Sequence, residues 1–169
     1  MIYTRGHRAD YDAWAAAGNA GWGWDDVLPF FKRAEHNERG ADAFHGTGGP
    51  LNVADLRSPH RFGSVFVEAG KQAGYPENRD FNGATQEGVG MYQVTHRNGE
   101  RFSAAKAYLT PHLGRPNLTL ITDALVSRVV LDEQAGAAPR AVAVEYRANG
   151  GRGPLQLLRC REGSGEVVL

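Results

Sequence analysis

The chain opens Met1-Ile2-Tyr3-Thr4-Arg5-Gly6-His7-Arg8-Ala9-Asp10-Tyr11-Asp12 and soon reaches Asn19-Ala20-Gly21-Trp22-Gly23-Trp24-Asp25-Asp26. An apolar run leading into dense charge and aromatics is unlike the polar tail at which chains normally start. It predicts that the fold extends upstream of Met1. Working outward, Tyr11 and Trp14 stand at i, i+3 beside Ala13 and Ala15-Ala16-Ala17, the spacing of a helix over residues 8–17 that ends at Gly18-Asn19. A second helix is expected from an Asp25 or Asp26 N-cap, with Val27, Leu28, Phe30, Phe31 and Ala34 as its apolar stripe and Lys32 and Arg33 near its C-terminal dipole. Pro29 is harmless there only within the first turn, and the helix is expected to run out at Asn37-Glu38-Arg39-Gly40.

Beyond it, residues 37–50 read as a glycine-rich loop ending in Phe44-His45-Gly46-Thr47-Gly48-Gly49-Pro50 before a short strand, Leu51-Asn52-Val53. Phe62, Val65, Phe66, Ala69 and Ala73 recur at helical spacing until Gly74-Tyr75-Pro76 stops them. Turn chemistry with two Asn-Gly pairs, at 82–83 and 98–99, brackets a β-type run over 91–96. Ser103 caps a short helix to Leu109, stopped by Pro111. The last third is β-rich: strands are expected over 117–122, 125–131, 141–146, 155–160 and 166–169. The final run stops at Leu169 without a polar tail, which predicts further sequence downstream.

Composition narrows the function classes. The 169 residues are 41% hydrophobic and 22% charged, the make-up of an ordinary globular protein. Nineteen Lys and Arg balance nineteen Asp and Glu, so no basic field exists for a nucleic-acid backbone. The lone cysteine, Cys160, cannot form an intrachain disulfide and reads as a half-buried strand thiol. No apolar run nears the roughly 20 residues needed to span a bilayer, and no signal peptide opens the chain, so a cytoplasmic setting is expected.

Chemistry-bearing patterns are sparse. No pair among the six histidines has i, i+4 spacing and no cysteine pair exists, so no metal site is expected. The histidines read as structural or surface residues, and Asp10, Asp12, Asp25 and Asp26 as solvated helix starts. There is no Gly-x-Ser-x-Gly and no phosphate loop; Gly46-Thr47-Gly48-Gly49 and Gly88-Val89-Gly90 lack the strand-to-helix context of a dinucleotide fingerprint. No catalytic residue is assigned.

The opening stretch, with Gly21 to Lys32, resembles the glucose-methanol-choline (GMC) oxidoreductases, FAD-dependent alcohol dehydrogenases and oxidases, and most of all their choline-dehydrogenase-like branch. Collinear segments extend the resemblance across the chain: Phe44 to Leu51, Asp80 to Gly83, Gln86 to Gly90, Asn98 to Ser103, Ala107 to Leu109 and Arg115 to Thr119. Only the tail of the family's first signature is present, with Tyr3, Gly6 and Asp12 at matching positions. The chain thus resembles the middle of such an enzyme, without the N-terminal dinucleotide-binding βαβ unit or the C-terminal catalytic histidine.

The resemblance implies an α+β fold: FAD-domain extension and lid helices over 1–43, the start of an antiparallel-sheet substrate domain over 44–114, and a β-rich return to the FAD domain over 115–169. It implies FAD as cofactor and an alcohol as substrate, with Met1 and Ile2 beside the flavin and Val126 reading adenine through its main chain. A strand's N–H and C=O can read a base edge whatever its side chain. The rival expectation is a non-catalytic α+β binding or scaffold module derived from such an enzyme.

Overall fold

The computed structural model describes residues 1–132 and 139–159, and the chain divides into two units, Met1–Gly114 and Arg115–Leu169. The first is built from three helices and several very short strands. Helix α1 (Arg8–Ala16) starts where His7 and Asp10 cap one another: His7 Nδ1 accepts from Ala9 N at 3.1 Å, and Asp10 accepts from His7 N at 2.9 Å. Helix α2 (Trp24–Ala34) is capped by Gly23 rather than by Asp25 or Asp26, both of which lie in its first turn, where their charge suits the dipole. Pro29 is its sixth residue, past the first turn, so the Asp25 carbonyl loses its intrahelical donor.

The expected continuation of α2 to Asn37–Gly40 does not occur. The chain turns extended at Glu35 and forms β1 (Glu35–Asn37), which pairs in parallel with β2 (Leu51–Val53). Tertiary bonds to the Glu35 carboxylate override local propensity at this point. Ala54 then exchanges both backbone bonds with Val94, which also bridges antiparallel to Ile2. Met1–Tyr3 is therefore an added strand beyond Val94, and the expected β-run 91–96 survives only as these bridges plus the hairpin β3 (His96–Arg97) and β4 (Glu100–Arg101). Asn98 (φ 54°) and Gly99 (φ 81°) both hold positive φ, as a two-residue type I′ hairpin turn requires.

Helix α3 (Arg61–Gln72) forms at the expected place, but its apolar stripe faces outward. Phe62, Val65 and Phe66 are 62%, 55% and 72% exposed, while Gly63 and Gly70 bring the backbone against Met91 and Val89. The expected short helix after Ser103 is a π-helical turn, Ala105–Leu109, continued by a 3-10 turn over Thr110–His112 that takes up Pro111.

The second unit is an antiparallel sheet ordered β5 (Leu125–Asp132), β6 (Arg140–Arg147), β7 (Leu155–Arg159), with bulges after Val126 and Val130. Val, Leu and Tyr interspersed with polar and charged residues specify it. The expected strand over 117–122 is absent, since no described segment supplies a ladder partner. Cys160 and the expected strand over 166–169 lie outside the described residues. No helix among the described residues is long and apolar enough to cross a membrane.

Candidate cofactor-facing strand and its buried anchor

The opening strand is fixed from two sides. Tyr3 N donates to Gln93 O at 2.9 Å and Thr95 N to Met1 O at 3.0 Å. Opposite them, Asn82 accepts from Arg5 N at 2.7 Å and donates to Tyr3 O at 3.1 Å, while Gln86 donates to Arg5 O at 2.9 Å. The side chains of Met1 and Ile2 stay 44% and 64% exposed. Backbone hydrogen-bonded on two sides thus presents open apolar surface. Val126, in the other unit, lies on β5, an edge strand of its sheet, with its side chain 44% exposed.

Behind the opening strand, the first unit buries ions as well as oils. Trp24, Val53, Ala54, Phe81, Val89, Val94 and Ala107 form its apolar core, and Arg5, Glu35, Asn37, His45, Asn82 and Gln93 are as deeply buried. Glu35 Oε1 is the focus: it accepts from Arg5 Nη2 at 2.8 Å, Gly46 N at 2.9 Å and His45 Nδ1 at 3.1 Å. Arg5 also donates to Phe44 O at 2.7 Å, and its guanidinium lies over the Phe31 ring at 5.2 Å. Gly46 cannot be otherwise, because a Cβ there would overlap the Lys32 carbonyl. The other imidazole nitrogen, His45 Nε2, lies 2.9 Å from Asp80 Oδ2, and Asp80 Oδ1 accepts from Asn82 N at 3.0 Å.

Electrostatics follows from this packing. Hydrogen bonds to Asp80 and Glu35 push His45 up to about 9, against the burial that would lower it. His45 is therefore an imidazolium at neutral pH, donating to both carboxylates. Burial pushes Glu35 upward, but the His45 hydrogen bond, the Gly46 N–H and Arg5 outweigh it, and the carboxyl ends below its usual range. Asp80 behaves alike: burial is outweighed by His45 and by Asn82 N. Tyr3 is pushed up to about 12 by burial, with Arg5 opposing and Glu35 adding. Asn37 and Gln93 complete the cluster as a reciprocal amide pair at 3.0 and 3.1 Å.

A histidine between two carboxylates is a familiar acid/base arrangement. Here its ring nitrogens meet Glu35, Asp80 and Asn37, and His45 does not line the cavity nearest the opening strand, which is about 150 Å³ and is lined by Arg5, Trp24, Phe44, Phe81 and Gln86 among others. The cluster is an anchor. Its histidine is the structural residue the sequence suggests, but the joining of Arg5, Glu35, His45 and Asp80 was invisible there. The one local signal is Gly46 directly after His45, a position where backbone approaches backbone. Carboxylates Asp10, Asp12 and Asp25 cap and clamp helices: Asp12 accepts from Trp24 N at 2.9 Å, and Arg8 bridges Asp12 and Asp25. Among the described residues no cluster fit to hold a metal ion occurs.

Comparison with known proteins shows the family. The family model described as GMC oxidoreductase matches residues 1–166. The alcohol dehydrogenase [acceptor] of Pseudomonas putida is 45% identical over 147 residues, covering 86% of this chain and 26% of that protein. Human mitochondrial choline dehydrogenase is 44% identical over 150 residues, covering 89% and 24%. The crystal structure of pyridoxine 4-oxidase from Mesorbium loti matches with a TM-score of 0.79 at 34% identity, over 94% of this chain and 30% of that one. The chain spans about a quarter of the length of the curated relatives it matches. It belongs to the GMC oxidoreductases, a family whose cofactor is FAD.

Proposed function

We propose that this chain is part of an FAD-dependent oxidoreductase that oxidises the CH–OH group of an alcohol, choline-like, aliphatic or sugar. The observation that carries the reading is the family match over residues 1–166. Bound FAD would supply the hydride acceptor. This chain's contribution is to position: Met1 and Ile2 lie along the flavin and Val126 reads adenine through its backbone. Two features support those assignments. The exposed apolar side chains of Met1 and Ile2 sit on backbone bonded to Gln93 and Thr95, a firm surface for an aromatic ring system. Among the described residues strand β5 pairs on one side alone, with β6, and the other side is where a base edge would meet main-chain groups.

In this reading residues 1–43 belong to the FAD domain's extension and lid, 44–114 to the start of the substrate domain, and 115–169 to a return into the FAD domain. The 169 residues are inactive alone, and a cytoplasmic setting is retained. The test is a chimera in which these residues replace the matching segment of the Pseudomonas putida alcohol dehydrogenase [acceptor]. Retained flavin absorbance after desalting, with alcohol oxidation, is expected. A folded chimera free of flavin would overturn the reading. One observation favours a second reading, a self-standing binding module: the first unit has a buried core of its own. Saturable FAD retention by the 169 residues alone, with a cooperative melt, would favour it.

A further inference from the structure

We infer that His45 is a positioning residue, the hub through which buried contacts hold the Met1–Tyr3 strand in register and so present Met1 and Ile2. Three routes connect them. Through Glu35, His45 reaches Arg5, whose backbone continues the strand. Through Asp80 it reaches Asn82, which holds both Arg5 N and Tyr3 O. At Nδ1, 3.0 Å from Asn37 Nδ2, it meets the amide pair with Gln93, whose backbone carbonyl takes the Tyr3 N–H. Among the described residues no other side chain bonds to Glu35, Asp80 and Asn37 together. That the strand is positioned for a flavin rests on the function proposed above; that His45 positions it does not.

The proton on the imidazole decides whether the hub works. As imidazolium it donates to Glu35 and Asp80 at once, and the Asn37 amide, 3.0 Å from Nδ1, has Gln93 Oε1 as its acceptor instead. The neutral ring keeps one proton: without the Nδ1 proton a lone pair faces the Glu35 carboxylate beside the Asn37 amide, which disturbs the routes to Arg5 and Gln93, and without the Nε2 proton a lone pair faces Asp80, which disturbs the route to Asn82. The charged or titratable groups around the ring are Glu35 from β1 and Asp80, both bonded to it, with Arg39 beyond Asp80 and with Arg5 and Tyr3 of the opening strand beyond Glu35. None of these is expected to change charge between pH 7 and 10, since the carboxyls are lowered, Tyr3 is raised and arginine stays protonated.

The test is amide hydrogen exchange on the full 169-residue chain, read as protection factors at Tyr3 and Thr95 with the amides of α3 as internal reference. In the wild type, protection at Tyr3 and Thr95 falls at least tenfold further than that of α3 between pH 7 and 10. In His45→Gln, which keeps the Met1 amino group, protection is low and flat with pH. Unchanged protection in His45→Gln, or a fall shared equally by α3, would overturn the inference. If His45→Gln does not fold, the His45 ring resonances of the wild type must titrate together with the loss of protection, and a mismatch overturns it as well. Flavin plays no part in these readouts, so failure here leaves the proposed function standing, and a flavin-free chimera leaves this result standing.

Discussion

The two units hold themselves together by different means. Residues 1–114 bury a charge cluster beside an apolar core, whereas the sheet of residues 125–159 buries only Ala143 and Val144 among its hydrophobic residues. On that sheet Leu125, Val126, Val129, Leu131, Leu155, Leu157 and Leu158 are each between 41% and 58% exposed, although its ladder is regular and Arg128 makes a bidentate pair with Glu145. Hydrogen bonding alone contributes little net stability once water competes. A three-stranded sheet whose apolar side chains are this exposed is therefore expected to be the weaker unit. In the first unit specificity comes from polar groups that must find one another, and a wrong pairing there leaves a buried ion alone.

The largest effect is expected from breaking that asymmetry. Glu35→Ala leaves Arg5 and His45 as adjacent buried cations and should destabilise the first unit by about 3–5 kcal/mol, measured by chemical denaturation followed through Trp24. The change would make the first unit as weak as the sheet. Next comes pH. Because the folded state raises His45 to about 9 from an ordinary value near 6.5, its stabilisation is complete below about pH 6.5 and is lost as pH rises through 9, on the order of 3 kcal/mol in all. Glu35 and Asp80 act oppositely: their lowered values stabilise above the ordinary carboxylate range, and that contribution disappears as pH falls through the lowered values. Urea midpoints from pH 3 to 10 should thus fall at both ends for the first unit. They should stay flatter for the sheet.

Smaller changes sharpen the contrast. Gly99→Ala places a Cβ at φ 81°, close to Arg57, and should weaken the β3–β4 hairpin by about 1 kcal/mol, visible as faster exchange at Phe102. Arg8→Ala removes ion pairs whose partners are at least half exposed, so a loss under about 1 kcal/mol is expected in the melt.

Legibility in the sequence follows the same division. Helices α1 and α3, the Asn98-Gly99 hairpin and strands β5 to β7 follow from short-range signals: caps, periodicity and alternation. The end of α2 does not, because Glu35 leaves the helix for partners at positions 5, 45 and 46 that no local window contains. The stripe of α3 is readable as a pattern but not as a direction, since Phe62 and Phe66 face outward and the glycines pack. For the site, Met1, Ile2 and Val126 come from family resemblance alone; composition and spacing carry no sign of them. The anchor behind Met1 and Ile2 was equally hidden, because a histidine's burial depends on carboxylates far away in the chain.

The proposed function requires Met1–Tyr3 and the main chain at Val126 each to contact FAD. Its most direct test is amide exchange on the chimera, flavin-loaded against flavin-stripped, read at Ile2, Tyr3, Val126 and Ser127. Protection at both segments on loading, with α3 unaffected, is the predicted result; a loaded chimera whose exchange at these four amides matches that of the stripped protein would contradict it.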